Sequence, residues 1–278
     1  MKTSSSDNID YGLLGEKLPH TLSPQIHSAL FRESGYEGTY GLIECEKGQL
    51  TKAYDFLSKL KGYNITIPYK CDIIPYLHSL DESAQRYGAV NCVSNISGHS
   101  IGYNTDVDGF LGSLASNSIA LSGRVLLLGC GGAGRMMAAE AVMAGASLTI
   151  AARKPEKVIE TADEITKKFG GEIQVCSYSE IQGSFSLAIN STPVGMFPHT
   201  DECVISEEII SRCDAVFDAI YNPRETVLLR TARRMGKKTV GGMSMLVLQA
   251  AAAHKIWYGA DFSQQQLDNI ITEIQKLV

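Results

Sequence analysis

Gly129, Gly131 and Gly134 fall on the pattern G-x-G-x-x-G within Val125–Arg135, V-L-L-L-G-C-G-G-A-G-R, with Gly132 as a further glycine. The apolar run before them predicts a strand buried on both faces. Met136–Met143 is helix-forming, and Gly145 closes it. Strand, glycine turn and helix together give the motif its chemistry. So tight a turn needs glycine backbone angles, a Cβ blocks close approach of a pyrophosphate, and a helix N-terminus offers free N–H groups to an anion. Gly129, Gly131, Gly132, Ala133 and Gly134 are thus a candidate dinucleotide site. About twenty residues on, where an acid selects NAD, the chain reads A-A-R-K-P, with no carboxylate before Glu156. A guanidinium grips a 2′-phosphate bidentately, so Arg153 and Lys154 at a strand's C-terminal end predict NADP over NAD. Two surface cations after a strand are the plainer alternative.

Polar side chains earlier in the chain also stand where ligands bind. Thr21 and Ser23 flank a helix start at Ser23-Pro24; Ser23 is expected as N-cap, and the two hydroxyls also form a cradle for a carboxylate. In G-Y-N-I-T-I-P-Y-K, apolar Tyr63, Ile65 and Ile67 alternate with Asn64 and Thr66, predicting a strand with one polar face. Lys70 follows the strand's C-terminal end, the ligand side of an open α/β sheet. A cation at a helix start opposes the helix dipole, so its placement calls for a reason. Asn91 lies on the first arm of a hairpin, Ala89–Asn95 and Ser100–Tyr103, turning at Ser97-Gly98. Thr105 or Asp106 caps the helix that follows, through Leu114.

These residues need a scaffold of two domains, which 278 residues allow. Apolar content of 44% and charged content of 20% describe a globular chain. A net charge of −5 without a basic block argues against nucleic acid or an anionic membrane as partner. Met1–Asp10 has no apolar core segment, so no signal peptide is expected, nor is there a run long enough for a membrane span. Seven scattered cysteines without a C-x-x-C pair predict reduced thiols and a cytoplasmic location; the histidines show no metal spacing, so no metal is expected. Before residue 106 the strand–helix segments are irregular, with strands at Tyr11–Leu14 and Thr39–Glu44 and helices from Ser23 to Ser34 and from Leu50 to Leu60. From Val125 the pattern is a regular β-α-β-α-β with strands at Ser147–Ala152, Ile173–Ser177, Ser186–Asn190, Ala215–Ala219 and Lys238–Val240, which predicts a doubly wound nucleotide-binding domain. Helices over Met245–Trp257 and Ser263–Leu277 are too short to stand alone and are expected to lie across the first domain.

The segments H-T-L-S-P-Q-I-H (His20–His27), N-I-T-I-P-Y-K (Asn64–Lys70), G-A-V-N (Gly88–Asn91) and N-T-D-V-D-G (Asn104–Gly109) continue with the glycine loop. Then come N-S-T-P-V-G-M (Asn190–Met196), D-A-I-Y-N-P (Asp218–Pro223) and M-L-V-L-Q (Met245–Gln249). In this order the chain resembles the shikimate/quinate dehydrogenase family along nearly its whole length. The resemblance implies an α/β fold of two domains. One is an N-terminal substrate and catalytic domain, 1–106 with 243–278, and the other a Rossmann-type NADP domain, 107–242. It implies reversible reduction of 3-dehydroshikimate to shikimate with NADPH, a step of chorismate and aromatic amino acid biosynthesis. Thr21 and Ser23 would bind the substrate carboxylate. Asn64, Thr66, Asn91, Tyr221 and Gln249 would hold the ring hydroxyls, and Lys70 with Asp106 would form the catalytic pair, handling the proton as a unit. Thr192, Met196, Gly242 and Met245 would line the nicotinamide side.

The sequence departs from the family pattern at several points. Thr21 replaces a usual Ser, A-R-K replaces N-R-T, Gly134 stands where Ala is frequent, and Ser244 stands where a loop often has Gly. Thr21 and Lys154 keep a quinate/shikimate paralogue using NAD, or both cofactors, as an alternative. Two further readings are a non-catalytic sensor of NADP and a polyol acid, and an NADP module whose first domain recruits a partner. Intact Lys70 and Asp106 count against the sensor, and the polar line from Asn64 to Asp106 is unexplained by the module. No heptad or apolar stripe chooses between monomer and homodimer.

Overall fold

The computed structural model describes residues 2–3, 9–19 and 21–278. His20 of the first motif, Met1 and residues 4–8 of the polar start lie outside the described residues. The backbone forms two compact units, Met1–Gly109 with Val247–Leu277, and Phe110–Leu246.

In the first unit the strands are β1 (Lys2–Thr3), β2 (Tyr11–Gly15), β3 (Tyr40–Glu44), β4 (Gly62–Ile65), β5 (Ser79–Leu80), β6 (Cys92–Ile96) and β7 (His99–Tyr103). They form one sheet in the order β1-β3-β2-β4-β6-β7-β5. β2 pairs parallel with both β3 and β4, and β4 pairs antiparallel with β6. Its helices are α1 (Ser23–Ser34), α2 (Leu50–Leu57), α3 (Tyr69–Asp72) and α4 (Glu82–Tyr87), and α5 (Asp106–Ser116) begins at its end. Leu14, Ile43, Leu57, Tyr63, Ile65 and Tyr69 fill one core of this unit.

β4 differs from the expected strand with one polar face: all of Gly62–Ile65 is buried, and its polar Asn64 has partners inside, the Tyr40 hydroxyl and the Asn91 carbonyl. The strand stops at Ile65, and Ile67, expected among the inward residues, is 78% exposed. One capping assignment changes. Leu22 is the N-cap of α1, through its main-chain carbonyl, and Ser23 is already helical, its N–H donating to Thr21 Oγ1. For α5, of the two candidates Thr105 precedes the helix, its main-chain carbonyl accepting from the Gly109 N–H, and Asp106 opens it.

The second unit holds β8 (Arg124–Leu128), α6 (Gly132–Met143), β9 (Ser147–Ala151), α7 (Ile159–Phe169), β10 (Ile173–Cys176), β11 (Phe185–Asn190), α8 (Glu207–Ser211), β12 (Cys213–Asp218), α9 (Val227–Arg234) and β13 (Lys238–Gly241). All its strands are parallel, in the order β10-β9-β8-β11-β12-β13. This is the doubly wound sheet that the β-α-β-α-β pattern predicts, with its order reversing between β8 and β11, where such sheets bind ligands. Val125–Leu128 is buried throughout. The short α8, unforeseen in the sequence, is capped by Ser206, whose Oγ accepts from the Ile209 N–H.

α10 (Gly242–Tyr258) begins three residues before the expected Met245, so Ser244 lies within a helix and its Cβ meets no demand for glycine geometry. α10 is followed by α11 (Gln264–Ile274). In the first unit Trp257 stacks on Tyr11 at 4.4 Å and donates from Nε1 to the Val93 carbonyl, while Arg32 of α1 pairs with Glu273 of α11. Burial of this aromatic surface fixes the C-terminal helices on the first sheet.

Candidate active site

Lys70 sits in the first turn after β4, on α3, and its Nζ donates to Asp106 Oδ2 at 2.6 Å. Both side chains are partly exposed. The second oxygen of Asp106 accepts from Asn91 Nδ2 at 2.8 Å. Asn91 is itself set by Thr105, whose main-chain N–H donates to Asn91 Oδ1 at 2.7 Å. That bond makes Oδ1 an acceptor and leaves the amide hydrogens for Asp106, the Thr105 hydroxyl and Gln249 Oε1. A strand end, a hairpin arm and a helix start therefore converge on one carboxylate. An ammonium has three N–H donors, so the bond to Asp106 leaves two for another acceptor.

Asn64 is nearly sealed, at 5% exposure. Its Oδ1 accepts from the Tyr40 hydroxyl at 2.9 Å, and its Nδ2 donates to the Asn91 carbonyl at 3.2 Å. Thr66 is half-buried just beyond the strand. Thr21 Oγ1 donates to Ser23 Oγ at 3.0 Å and accepts from the Ser23 N–H at 3.2 Å. Because Ser23 Oγ accepts from Thr21, its own hydroxyl hydrogen is available to a ligand. Lys70, Asp106, Asn91, Asn64 and Gln249 are thus joined by hydrogen bonds, and Thr21 with Ser23 forms a separate hydroxyl pair at the start of α1. Tyr221 belongs to the second unit, after β12, where burial pushes its phenol up.

The backbone of the glycine loop bears on how closely a ligand could approach it. Gly129 has φ +80° and a Cβ there would meet Thr192 Cγ2 at 2.6 Å, so only glycine makes this turn. A Cβ on Gly134 would be driven into Ser191 Oγ and lie 3.2 Å from the Gly129 carbonyl, so helix and strand ends touch here. At Gly131 and Gly132, by contrast, a Cβ would enter open space, on the exposed face where the helix begins. Gly131 is the N-cap of α6 and no side chain caps the helix. An uncapped N-terminus with an open, Cβ-free face suits a pyrophosphate. Burial pushes the Cys130 thiol up to about 11, so the loop adds no negative charge against a phosphate. Arg153 and Lys154 are exposed immediately beyond β9, as a 2′-phosphate site requires.

Thr192, one of the residues expected on the nicotinamide side, lies in a hydrogen-bond network missed in the sequence. Asn190, at the end of β11, accepts at Oδ1 from both the main-chain N–H and the hydroxyl of Thr192, at 3.0 and 2.7 Å. Its Nδ2 donates to Asp218 Oδ1 at 3.0 Å. Asp218 is fully buried at the end of β12 and also accepts from the Ile220 N–H and the Thr226 hydroxyl. One carboxylate thus ties the Thr192 loop to the segment carrying Tyr221. The signal was present in the motifs N-S-T-P and D-A-I-Y-N-P, but their pairing appears only when β11 and β12 lie side by side. Met196 is exposed, Met245 half-buried on α10, and Gly242 buried against the Ala219 carbonyl, where no Cβ fits.

Among the described residues no helix is long and apolar enough to cross a membrane.

Residues 13–93 match the family model described as shikimate dehydrogenase substrate binding domain. A curated relative, shikimate dehydrogenase (NADP(+)) of Clostridium beijerinckii, is 40% identical over 268 residues, 95% of each chain. Among solved structures, a shikimate dehydrogenase in complex with NADP+ superposes with a TM-score of 0.88 at 33% identity, covering 95% of this chain and 94% of that one. The shikimate 5-dehydrogenase of Thermus thermophilus, in complex with NADP(H) and shikimate, gives a TM-score of 0.84 at 29% identity, covering 96% and 100%.

Proposed function

This chain belongs to the shikimate dehydrogenase family, and we propose from that premise how its residues divide the work of an NADP-dependent oxidoreductase. The reaction is the reversible reduction of 3-dehydroshikimate to shikimate. The observation that carries the assignment of roles is the 2.6 Å bond between Lys70 and Asp106 inside the Asn91–Thr105–Gln249 network.

When bound, the nicotinamide supplies or takes up the hydride at the ring carbon. The chain must stabilise the charge that grows on the carbonyl oxygen and provide its proton. Lys70 does both: one N–H stays on Asp106, another meets the oxygen. A charge-assisted bond of this kind strengthens as the oxygen becomes alkoxide-like, so it favours the transition state over the ground state. Asp106 holds the ammonium in place, and Asn91 holds Asp106. Asn64, Thr66, Asn91, Gln249 and Tyr221 take the ring hydroxyls, while the Thr21 and Ser23 hydroxyls take the carboxylate. The extra methyl of Thr21 narrows that cradle. Gly129, Gly131, Gly132, Ala133 and Gly134 receive the pyrophosphate, and Arg153 with Lys154 the 2′-phosphate. Thr192, Met196, Gly242 and Met245 line the nicotinamide side. We assign residues 1–106 with 243–278 to substrate and 107–242 to cofactor. The cysteines are all free thiols, which supports a reducing, cytoplasmic compartment.

Oxidation of shikimate and of quinate, each with NADP and NAD, tests this reading by absorbance at the reduced nicotinamide band. Shikimate with NADP is expected to have the highest kcat/KM. Equal use of quinate, or of NAD, overturns the assigned specificity, and absence of turnover with every pair overturns the catalytic reading.

A further inference from the structure

Gly15 ends β2 between two parallel neighbours, and its missing side chain leaves a slot at the carboxyl end of the first sheet. The register sets Glu44, the last residue of β3, directly beside it. On the other side Leu14 pairs with Ile65, and the N–H of Thr66 donates to the Leu14 carbonyl at 2.9 Å, which brings Thr66 alongside Gly15. Residues in register on parallel strands project to one face, so Glu44, Gly15 and Thr66 form a row across it.

The slot is filled from two directions. A Cβ on Gly15 would lie 2.5 Å from Leu18 Cδ2 and 2.9 Å from Thr66 Cγ2, too close for either carbon to stay in place. Leu18 is buried there, and its main-chain N–H donates to Glu44 Oε1 at 2.9 Å. The chain between β2 and α1 is therefore pinned at one residue by two means, an apolar side chain in the slot and a hydrogen bond to the carboxylate beside it. Just beyond that pin stands Thr21, whose hydroxyl is bonded to Ser23. Thr66 is fixed by the same slot. A β-branched side chain is stiff at χ1, so the methyl seated against Gly15 settles where the Thr66 hydroxyl lies.

We propose that Gly15 and Glu44 are positioning residues that, through Leu18, hold the carboxylate cradle of Thr21 and Ser23 at a set distance from the ring-hydroxyl contact Thr66. This rests on the reading of those three side chains as substrate contacts. One rigid ring must reach the cradle and Thr66 together, so a shift of the Leu18 loop sacrifices one contact to keep the other. Glu44 acts here as an acceptor: the Leu18 N–H needs an oxygen, not a charge. Neither Gly15 nor Glu44 belongs to the Lys70–Asp106 network, so the cost of losing them falls on substrate binding and not on the proton step.

Glu44→Gln keeps an oxygen for the Leu18 N–H, and Glu44→Met keeps the length of the side chain without one. Glu44→Met is expected to raise KM for shikimate by about 3–10-fold, the worth of one hydrogen bond, with kcat within about twofold and KM for NADP unchanged. Glu44→Gln should stay within about twofold of the parent KM. Gly15→Ala should raise KM for shikimate at least as much as Glu44→Met, because it displaces Leu18 and the Thr66 methyl together. Equal KM values in the parent and Glu44→Met overturn the proposal, and the two Glu44 variants decide it even where Gly15→Ala does not fold. Glu44→Gln as impaired as Glu44→Met overturns it too, since the charge is then the operative feature, and so does an equal rise in KM for NADP. Thr21→Ala combined with Ser23→Ala separates the two levels. If removing both hydroxyls leaves KM for shikimate unchanged, the cradle reading fails and the inference with it. If it raises KM while Glu44→Met does not, the inference alone fails.

Discussion

Replacing Asp218 by Asn is expected to make the protein more stable relative to the parent as pH rises. Asp218 accepts from Asn190 at 3.0 Å, Ile220 at 3.1 Å and Thr226 at 2.6 Å. These bonds favour the carboxylate, yet burial outweighs them and pushes its pKa from 3.8 up to about 6. The folded protein therefore binds a proton that the unfolded chain has released over the interval from about pH 4 to about pH 6. Wherever the native state binds more protons, stability falls as pH rises. A difference of about two pH units corresponds to roughly 3 kcal/mol, present in full above pH 6. Asn has the same shape: its oxygen accepts from Asn190 and Ile220, and its NH₂ donates to the Thr226 oxygen. It carries no charge to bury. Urea unfolding of parent and Asp218→Asn followed by circular dichroism from pH 4 to pH 8 isolates this one group, because every other titration is common to both. The stability difference should change by about 2–3 kcal/mol in favour of the variant, nearly all of it below pH 6.5. Parallel curves across the range refute the reasoning. Asp218→Ala, which leaves three buried donors unmet, should instead cost about 3 kcal/mol or more.

Lys70→Ala should lower kcat by about 10²–10⁴ with little change in KM; near-normal turnover would remove Lys70 from the chemistry. Arg153→Ala should raise KM for NADPH by about tenfold or more and leave NADH use unchanged, as steady-state rates with both cofactors will show. Gly134→Ala should weaken NADP binding and cost about 1–3 kcal/mol, because the new methyl presses on Ser191 Oγ, which is itself held by the Leu128 and Gly129 carbonyls. Adding Ser191→Ala should recover much of the loss in a titration of NADP against both variants.

The extent to which sequence specified this molecule differs from residue to residue. Gly129 announces its turn because only glycine serves there, and Val125–Leu128 announces a strand because four successive apolar residues must be buried on both faces. Arg153 stands out as a candidate phosphate contact because an acid is absent from that point. Capping was misjudged at Ser23 and left open between Thr105 and Asp106, because a cap and the first helical residue differ by one position and the same side chains suit both. β4 was misjudged because alternation of polar and apolar residues also arises in a strand buried on both faces, when the polar residue has partners inside. Asn64 is such a residue.

Local patterns therefore determined which elements form, which glycines bend the chain and where charge could meet a phosphate. They depend on neighbours within a turn or a strand, and these are written in order along the chain. The pairs Lys70–Asp106, Asn190–Asp218, Asn64–Tyr40 and His27–His254 were decided by the tertiary structure alone. Their members are 36, 28, 24 and 227 residues apart, and an Asn or a His carries no mark of its partner. Which atom donates and which accepts is settled only when a fixed main-chain group, such as the Asn91 carbonyl, is brought against the side chain, and that contact exists only in the folded sheet.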